Sequence, residues 1–199
     1  MMKVRANKQI LNLPIDLSLP VNTFWDLGVS DNMTVWFHQF ANNQHRFVNY
    51  YENSNEGIQH YVTYMKEFQD KHGFVWGTHY GPHDLAVRNL GANIKTRKEI
   101  FKQLGVDINI VPRTPAKQDS IQNARTILPN CWFDEKRCST GISYLDNYTK
   151  EWDKRLAVWK NEPRHDMASH CADAFLCFAD GWGLNDPVII EDFEFTSEW

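Results

Sequence analysis

An α/β fold, with a central mixed β-sheet flanked by helices, is predicted by three observations. Three β-rich stretches follow one another, VNTFWDLG from Val21, TVWFHQF from Thr34 and HRFVNYYEN from His45, and ANNQ between the last two supplies turn chemistry. After Asn55 the apolar period lengthens: Ile58, Tyr61, Val62, Met65 and Phe68 sit at helical spacing before Gly73, which predicts a helix over about 57–71. Beyond it strand and helix alternate, which requires parallel crossovers and so makes the sheet mixed.

Taken in order, residues 1–20 are polar, contain Pro14 and Pro20 and show no sustained period. They read as an N-terminal arm or linker remnant, with the folded domain over 21–180. FVWGTHYGPHD is a strand running into a Gly-Pro break, and TRKEIFKQLG a helix with Thr96 as N-cap and Gly105 as its stop. VDINIVP is a further strand, and AKQDSIQNARTIL a helix ended by Pro129. Ile142, Leu145, Trp152, Leu156 and Trp159 predict another helix over about 140–161, and a last one runs from Asp166 to Ala179. Residues 181–199 form an acidic, aromatic tail.

Composition narrows the function. The 199 residues are 42% hydrophobic and 14% aromatic, enough for a core and against disorder. A net charge of −4 excludes a protein that coats nucleic acid by phosphate neutralisation alone. The longest apolar run is six residues, Ala174 to Ala179, far short of the ~20 that span a bilayer. With no apolar stretch near the start, a soluble intracellular protein with free thiols at Cys131, Cys138, Cys171 and Cys177 is expected. The spacing of CWFDEKRC fits no common structural zinc site.

Three aspartates fall at the ends of predicted elements. Asp26 lies in an otherwise apolar strand, where a carboxylate is costly to bury unless paired, protonated or bound to a cation. Asp84 follows a strand at the kind of C-terminal edge where open α/β sheets place their sites. Asp166, His170 and Asp173 share one face of the last helix, opposite an apolar stripe of Ala168, Cys171, Ala172, Phe175 and Ala179. Convergence of Asp26, Asp84 and Asp173 would concentrate charge that divalent cations relieve, and hard oxygen ligands select Mg²⁺ or Mn²⁺. A pair of such ions can activate water against a phosphodiester. Each residue also has a plainer reading: Asp166 as helix N-cap, Asp84 as turn residue, Asp173 and His170 as solvated helix positions. Arg88, Lys95, Arg97, Lys98 and Lys102 cluster after Asp84, mostly as solvated charge. Arg113 and Lys117, near a strand end, are the better candidates for phosphate contact.

DLGVSDN, YGPHDLAVRNLG, TRKEIFKQLG and HDMASHCADAF, in this order, resemble the C-terminal nuclease domain of tailed-phage terminase large subunits over about residues 21–180. The resemblance implies an RNase H-like fold and a metal-dependent endonuclease that cuts concatemeric double-stranded DNA with two Mg²⁺ or Mn²⁺ ions. It implies Asp26, Asp84 and Asp173 as catalytic metal ligands, with His170 near a metal. As partners it implies double-stranded DNA and, in the full-length protein, an ATPase domain, a small terminase subunit and a portal, in the host cytoplasm without a membrane. The chain has no G-x-x-x-x-G-K-[ST] P-loop and is expected to be the nuclease domain without its motor. Two other readings stay open: a non-catalytic DNA-gripping or portal-docking module, and another RNase H-like enzyme such as a resolvase or transposase core.

Overall fold

The computed structural model describes residues 1–28, 32–87 and 95–183. Among them, seven strands form one sheet: β1 (Ile10–Leu11), β2 (Val21–Leu27), β3 (Asn32–Ala41), β4 (Gln44–Ser54), β5 (Trp76–Gly81), β6 (Ile108–Ile110) and β7 (Cys131–Asp134). Their spatial order is β1-β7-β4-β3-β2-β5-β6. The helices are α1 (Met2–Ala6), α2 (Ile58–His72), α3 (Arg97–Gln103), α4 (Lys117–Ile127), α5 (Ser139–Asn147) and α6 (Met167–Gly181). A separate antiparallel hairpin consists of β8 (Lys150–Asp153) and β9 (Val158–Pro163).

The sheet is mixed, as the alternation of elements predicts. β2, β3 and β4 form an antiparallel meander, while β5 adds to β2, β6 to β5 and β7 to β4 in parallel. Asn42 and Asn43 close the β3–β4 hairpin with φ of 51° and 59°, the backbone that a two-residue turn needs to match strand twist. Thr96 and Glu99 cap α3 reciprocally, and Gly73 ends α2 at φ 77°, in the left-handed region that a side chain rarely adopts.

Side chains alternate along β2 and sort the core into two layers. Val21, Trp25 and Leu27 pack with Ile58, Tyr61, Val62, Met65 and Phe68 of α2 and with Phe101 of α3. Phe24 and Tyr80 face the other way, against Phe175 and Phe178 of α6, together with Trp36, Phe47, Phe133 and Ile142. α5 approaches this second layer so closely that a Cβ on Gly141 would lie 2.4 Å from the buried Trp36 ring. Gly141→Ala is therefore expected to destabilise the fold by about 1–3 kcal/mol, measured by denaturant unfolding. A loss below about 0.5 kcal/mol would show that the indole moves freely.

The N-terminal residues differ from the expected arm. Val4 is buried, β1 pairs in parallel with β7, and the Gln9 amide donates to the carbonyls of Pro129 and Cys131 at 2.7 and 3.0 Å. The expected helix over 140–161 is also corrected, because α5 ends at Asn147 and the β8–β9 hairpin follows. Trp152 and Trp159 face each other across that hairpin with ring centroids 5.0 Å apart. Its turn forms as Asp153 accepts the amides of Arg155 and Leu156 and Ala157 adopts φ 52°. The four cysteines are buried free thiols. No helix among the described residues is long and apolar enough to cross a membrane. Most of the tail, residues 184–199, lies outside the described residues, as does Arg88.

Candidate active site

Parallel pairing brings the C-terminal ends of β2, β5 and β6 to one edge of the sheet. Asp26 sits one residue before the end of β2, on the Phe24 face that α6 covers. Asp84 follows β5 through Gly81 and Pro82, inside a short 3₁₀ turn, His83–Ala86. Arg113 and Lys117 come from the segment after β6 and from the first position of α4. α6 is tied to the sheet by Thr34, which donates to the His170 carbonyl at 3.1 Å, and by the Trp36 indole, which donates to the Cys171 carbonyl at 3.2 Å. That docking sets Asp173 beside the ends of the parallel strands.

Asp26, Asp84 and Asp173 consequently line a single open cleft of about 430 Å³, together with Arg113, Lys117 and Asp180. His170 is buried on α6, and its Nδ1 lies 3.2 Å from Asp26 Oδ2. Burial raises the Asp26 carboxyl above the ordinary aspartate value, and the charges of Asp173 and Asp84 push the same way, against the lowering effect of the His170 hydrogen bond. Lys117 Nζ donates to Asp173 Oδ1. Asp84 differs from both, because among the described residues its buried Oδ1 has no hydrogen-bond partner.

Two aspartates that sequence reasoning passed over behave otherwise. Asp134, almost fully buried, accepts the backbone amides of Leu13, Lys136 and Arg137 and the Arg137 guanidinium. Asp180 accepts from Thr114 Oγ1, Ser120 Oγ and Asn123 Nδ2 at 2.8, 2.6 and 2.8 Å. Fixed donors satisfy these two carboxylates, so they hold chain segments together. Asp180 lies two turns along α6 from Asp173, and that spacing was the signal by which it could have been found.

Asp166 stands outside the cleft. It is the N-cap of α6 in a capping box with Ser169, and it pairs with Arg164. Asp166→Ala should lower stability by about 1 kcal/mol in an unfolding titration; an unchanged midpoint would deny the cap its role. Arg97 donates to the Leu27 carbonyl at 2.8 Å and so fixes the strand end beside Asp26. Among the described residues no group of three His, Cys, Asp or Glu side chains stands ready-made to hold an ion; Asp173 pairs with Lys117 and Asp26 with His170.

No family model matches the chain, and no curated protein matches it. Solved structures do. The large terminase from a thermophilic bacteriophage is 16% identical with a TM-score of 0.64 over 88% of this chain, which spans 43% of that protein's length. The nuclease domain of the P22 large terminase is 11% identical with a TM-score of 0.63, covering 87% of this chain and 88% of that one. The large-terminase nuclease domain from bacteriophage SPP1, with bound Mn, is 12% identical with a TM-score of 0.58, covering 80% and 85%. The fold of this chain is the RNase H-like fold of large-terminase nuclease domains.

Proposed function

We propose that this chain is the metal-dependent endonuclease domain of a phage DNA-packaging terminase, hydrolysing phosphodiester bonds of concatemeric double-stranded viral DNA. The observation that carries the reading is the unpartnered, buried Oδ1 of Asp84 in the cleft that Asp26 and Asp173 also line. Asp134 and Asp180 show how this fold satisfies a carboxylate when its role is internal. The three cleft aspartates lack such a set of fixed donors, since Asp26 meets His170, Asp173 meets Lys117 and the Asp84 Oδ1 has no partner among the described residues; their hard carboxylate oxygens are a donor set that suits Mg²⁺ or Mn²⁺.

Two ions held by Asp26, Asp84 and Asp173 would supply charge for the scissile phosphate and lower the pKa of the attacking water. The chain's own groups do the rest. His170 orients the Asp26 carboxylate through Nδ1, and Arg97 holds the end of its strand. Arg113 and Lys117, on the rim of the cleft, are placed to contact the phosphate backbone. The SPP1 domain of the same fold contains Mn, which favours a divalent ion here. An ATPase domain, a small terminase subunit and a portal are the proposed partners, in the host cytoplasm.

The Lys117–Asp173 pair favours a second reading, in which the acidic cluster is structural and the chain grips DNA or docks to a portal without chemistry. Incubation of the folded chain with supercoiled plasmid in Mn²⁺, in Mg²⁺ and in EDTA separates the two. Nicked and linear products that depend on the ion are expected. A chain with a cooperative thermal melt that leaves plasmid intact in both ions would establish the second reading.

A further inference from the structure

Lys117 occupies an unusual place. It is the first residue of α4, where the helix dipole favours a negative side chain and disfavours a cation. Its ammonium nevertheless reaches across to Asp173 on α6. The segment that carries it is clamped to the same helix, because Thr114, Ser120 and Asn123 all donate to Asp180. Gln118 next to it donates to the Asn161 carbonyl. Backbone and neighbours are fixed, whereas the pair itself is open to solvent, with side chains 42% and 34% exposed.

From this geometry we infer that Lys117 is the resident counter-cation of Asp173, that a divalent ion must displace it to bind, and that the displaced ammonium then contacts a DNA phosphate. The inference rests on the reading of Asp26, Asp84 and Asp173 as ion ligands. Asp173 Oδ1 accepts the ammonium hydrogen bond, and both residues line the cleft. A cation bound there meets a competing charge and, once bound, repels it. The four-carbon lysine stem lets the head group swing while its Cα stays in place. One positive charge thus neutralises Asp173 in the unloaded cleft and afterwards serves the substrate.

Mn²⁺ titration calorimetry on the whole chain at low ionic strength tests the first step. Lys117→Gln is expected to bind Mn²⁺ about fivefold more tightly than wild type, the upper range for a half-exposed ion pair. Lys117→Arg, which keeps the charge, should bind like wild type. Equal or weaker Mn²⁺ binding by Lys117→Gln, with its melting temperature unchanged, would overturn the proposal. Asp26→Asn serves as the control on the site: if it binds Mn²⁺ as wild type does, the ion lies elsewhere and the underlying reading is what fails.

Duplex binding in Ca²⁺ across a salt series tests the second step. The slope of log affinity against log salt should be smaller for Lys117→Gln than for wild type by about 0.9, the contribution of one phosphate contact. Without a divalent ion the two slopes should coincide. Equal slopes in Ca²⁺ would overturn the transfer of Lys117 to the phosphate.

Discussion

If the cleft holds the proposed ions, Asp26→Asn and Asp173→Asn are each expected to lower plasmid cleavage by about a thousandfold or more, because ions that would stabilise the reacting phosphate by several kcal/mol lose a charged ligand. Stability separates the two variants. The Asp26 carboxyl is raised by burial and by the charges of Asp173 and Asp84, so the folded state holds its proton more tightly than the unfolded chain does. Above the unfolded value near 3.8 the ionised form is therefore a penalty on folding, increasing with pH until the folded group has titrated. Asparagine removes the penalty. In EDTA at neutral pH, Asp26→Asn should therefore be more stable than wild type and melt at a higher temperature. Asp173→Asn loses only a half-exposed pair with Lys117 and should change by less than about 1 kcal/mol. Undiminished cleavage by Asp173→Asn removes that residue from the site, and a lower melting temperature for Asp26→Asn refutes the burial argument.

Acid weakens the fold through three buried histidines, His38, His45 and His79. Burial pushes His79 and His45 down to about 4, and burial together with the charge of His45 takes His38 well below its ordinary value. His38 Nε2 and His45 Nδ1 lie 3.1 Å apart in a nest of Phe24, Phe40, Phe178 and Trp182. His79 Nδ1 pairs with the Thr23 hydroxyl, which also accepts from the Trp25 indole. Unfolded, all three titrate near 6.5. Between pH 6.5 and 4 the unfolded chain takes up protons that the folded chain refuses, so stability is full above 6.5 and falls as pH falls. Each histidine contributes up to about 1.4 kcal/mol per pH unit in that window. Urea unfolding at pH 7, 6 and 5 should show the decline, and His79→Gln should shed about a third of its slope. Equal stability at pH 7 and pH 5 contradicts this account.

The parts of the fold that were legible in the sequence are those where local chemistry and tertiary structure agree. The β2–β3–β4 meander, α2 with its five buried apolar residues, the Thr96 cap and the start of α6 follow from alternation, period and capping residues. The gathering of Asp26, Asp84 and Asp173 in one cleft was legible from their positions at element ends and from the motif resemblance. β1 has two residues and β7 four, too few to show a period, and both exist because a neighbouring strand offers them a ladder. The β8–β9 hairpin carries Trp152, Leu156 and Trp159 at spacings that imitate a helix, with no glycine or proline at its turn; Asp153, which accepts the amides of Arg155 and Leu156, was the residue that signalled the break. Lys117 read as a DNA contact because charge on a sequence shows no partner, and only the fold sets it against Asp173.

The pairing of β1 with β7 also sets a timetable. The Leu13 amide and the Asp134 carboxylate that receives it are 121 residues apart. At a synthesis rate of ~5–20 residues per second, the first segment waits roughly 6 to 25 s for its partner to emerge. β2 through β5 can assemble in that interval, since their partners are close in sequence. Until β7 arrives, β4 presents Phe47 and its neighbours along an open edge, a surface on which other nascent chains can add strands. β7 closes that edge, and the N-terminal segment then seals β7 in turn. The chain's first residues are therefore among the last to reach their place, and aggregation during expression should be most sensitive to changes in the 131–134 strand.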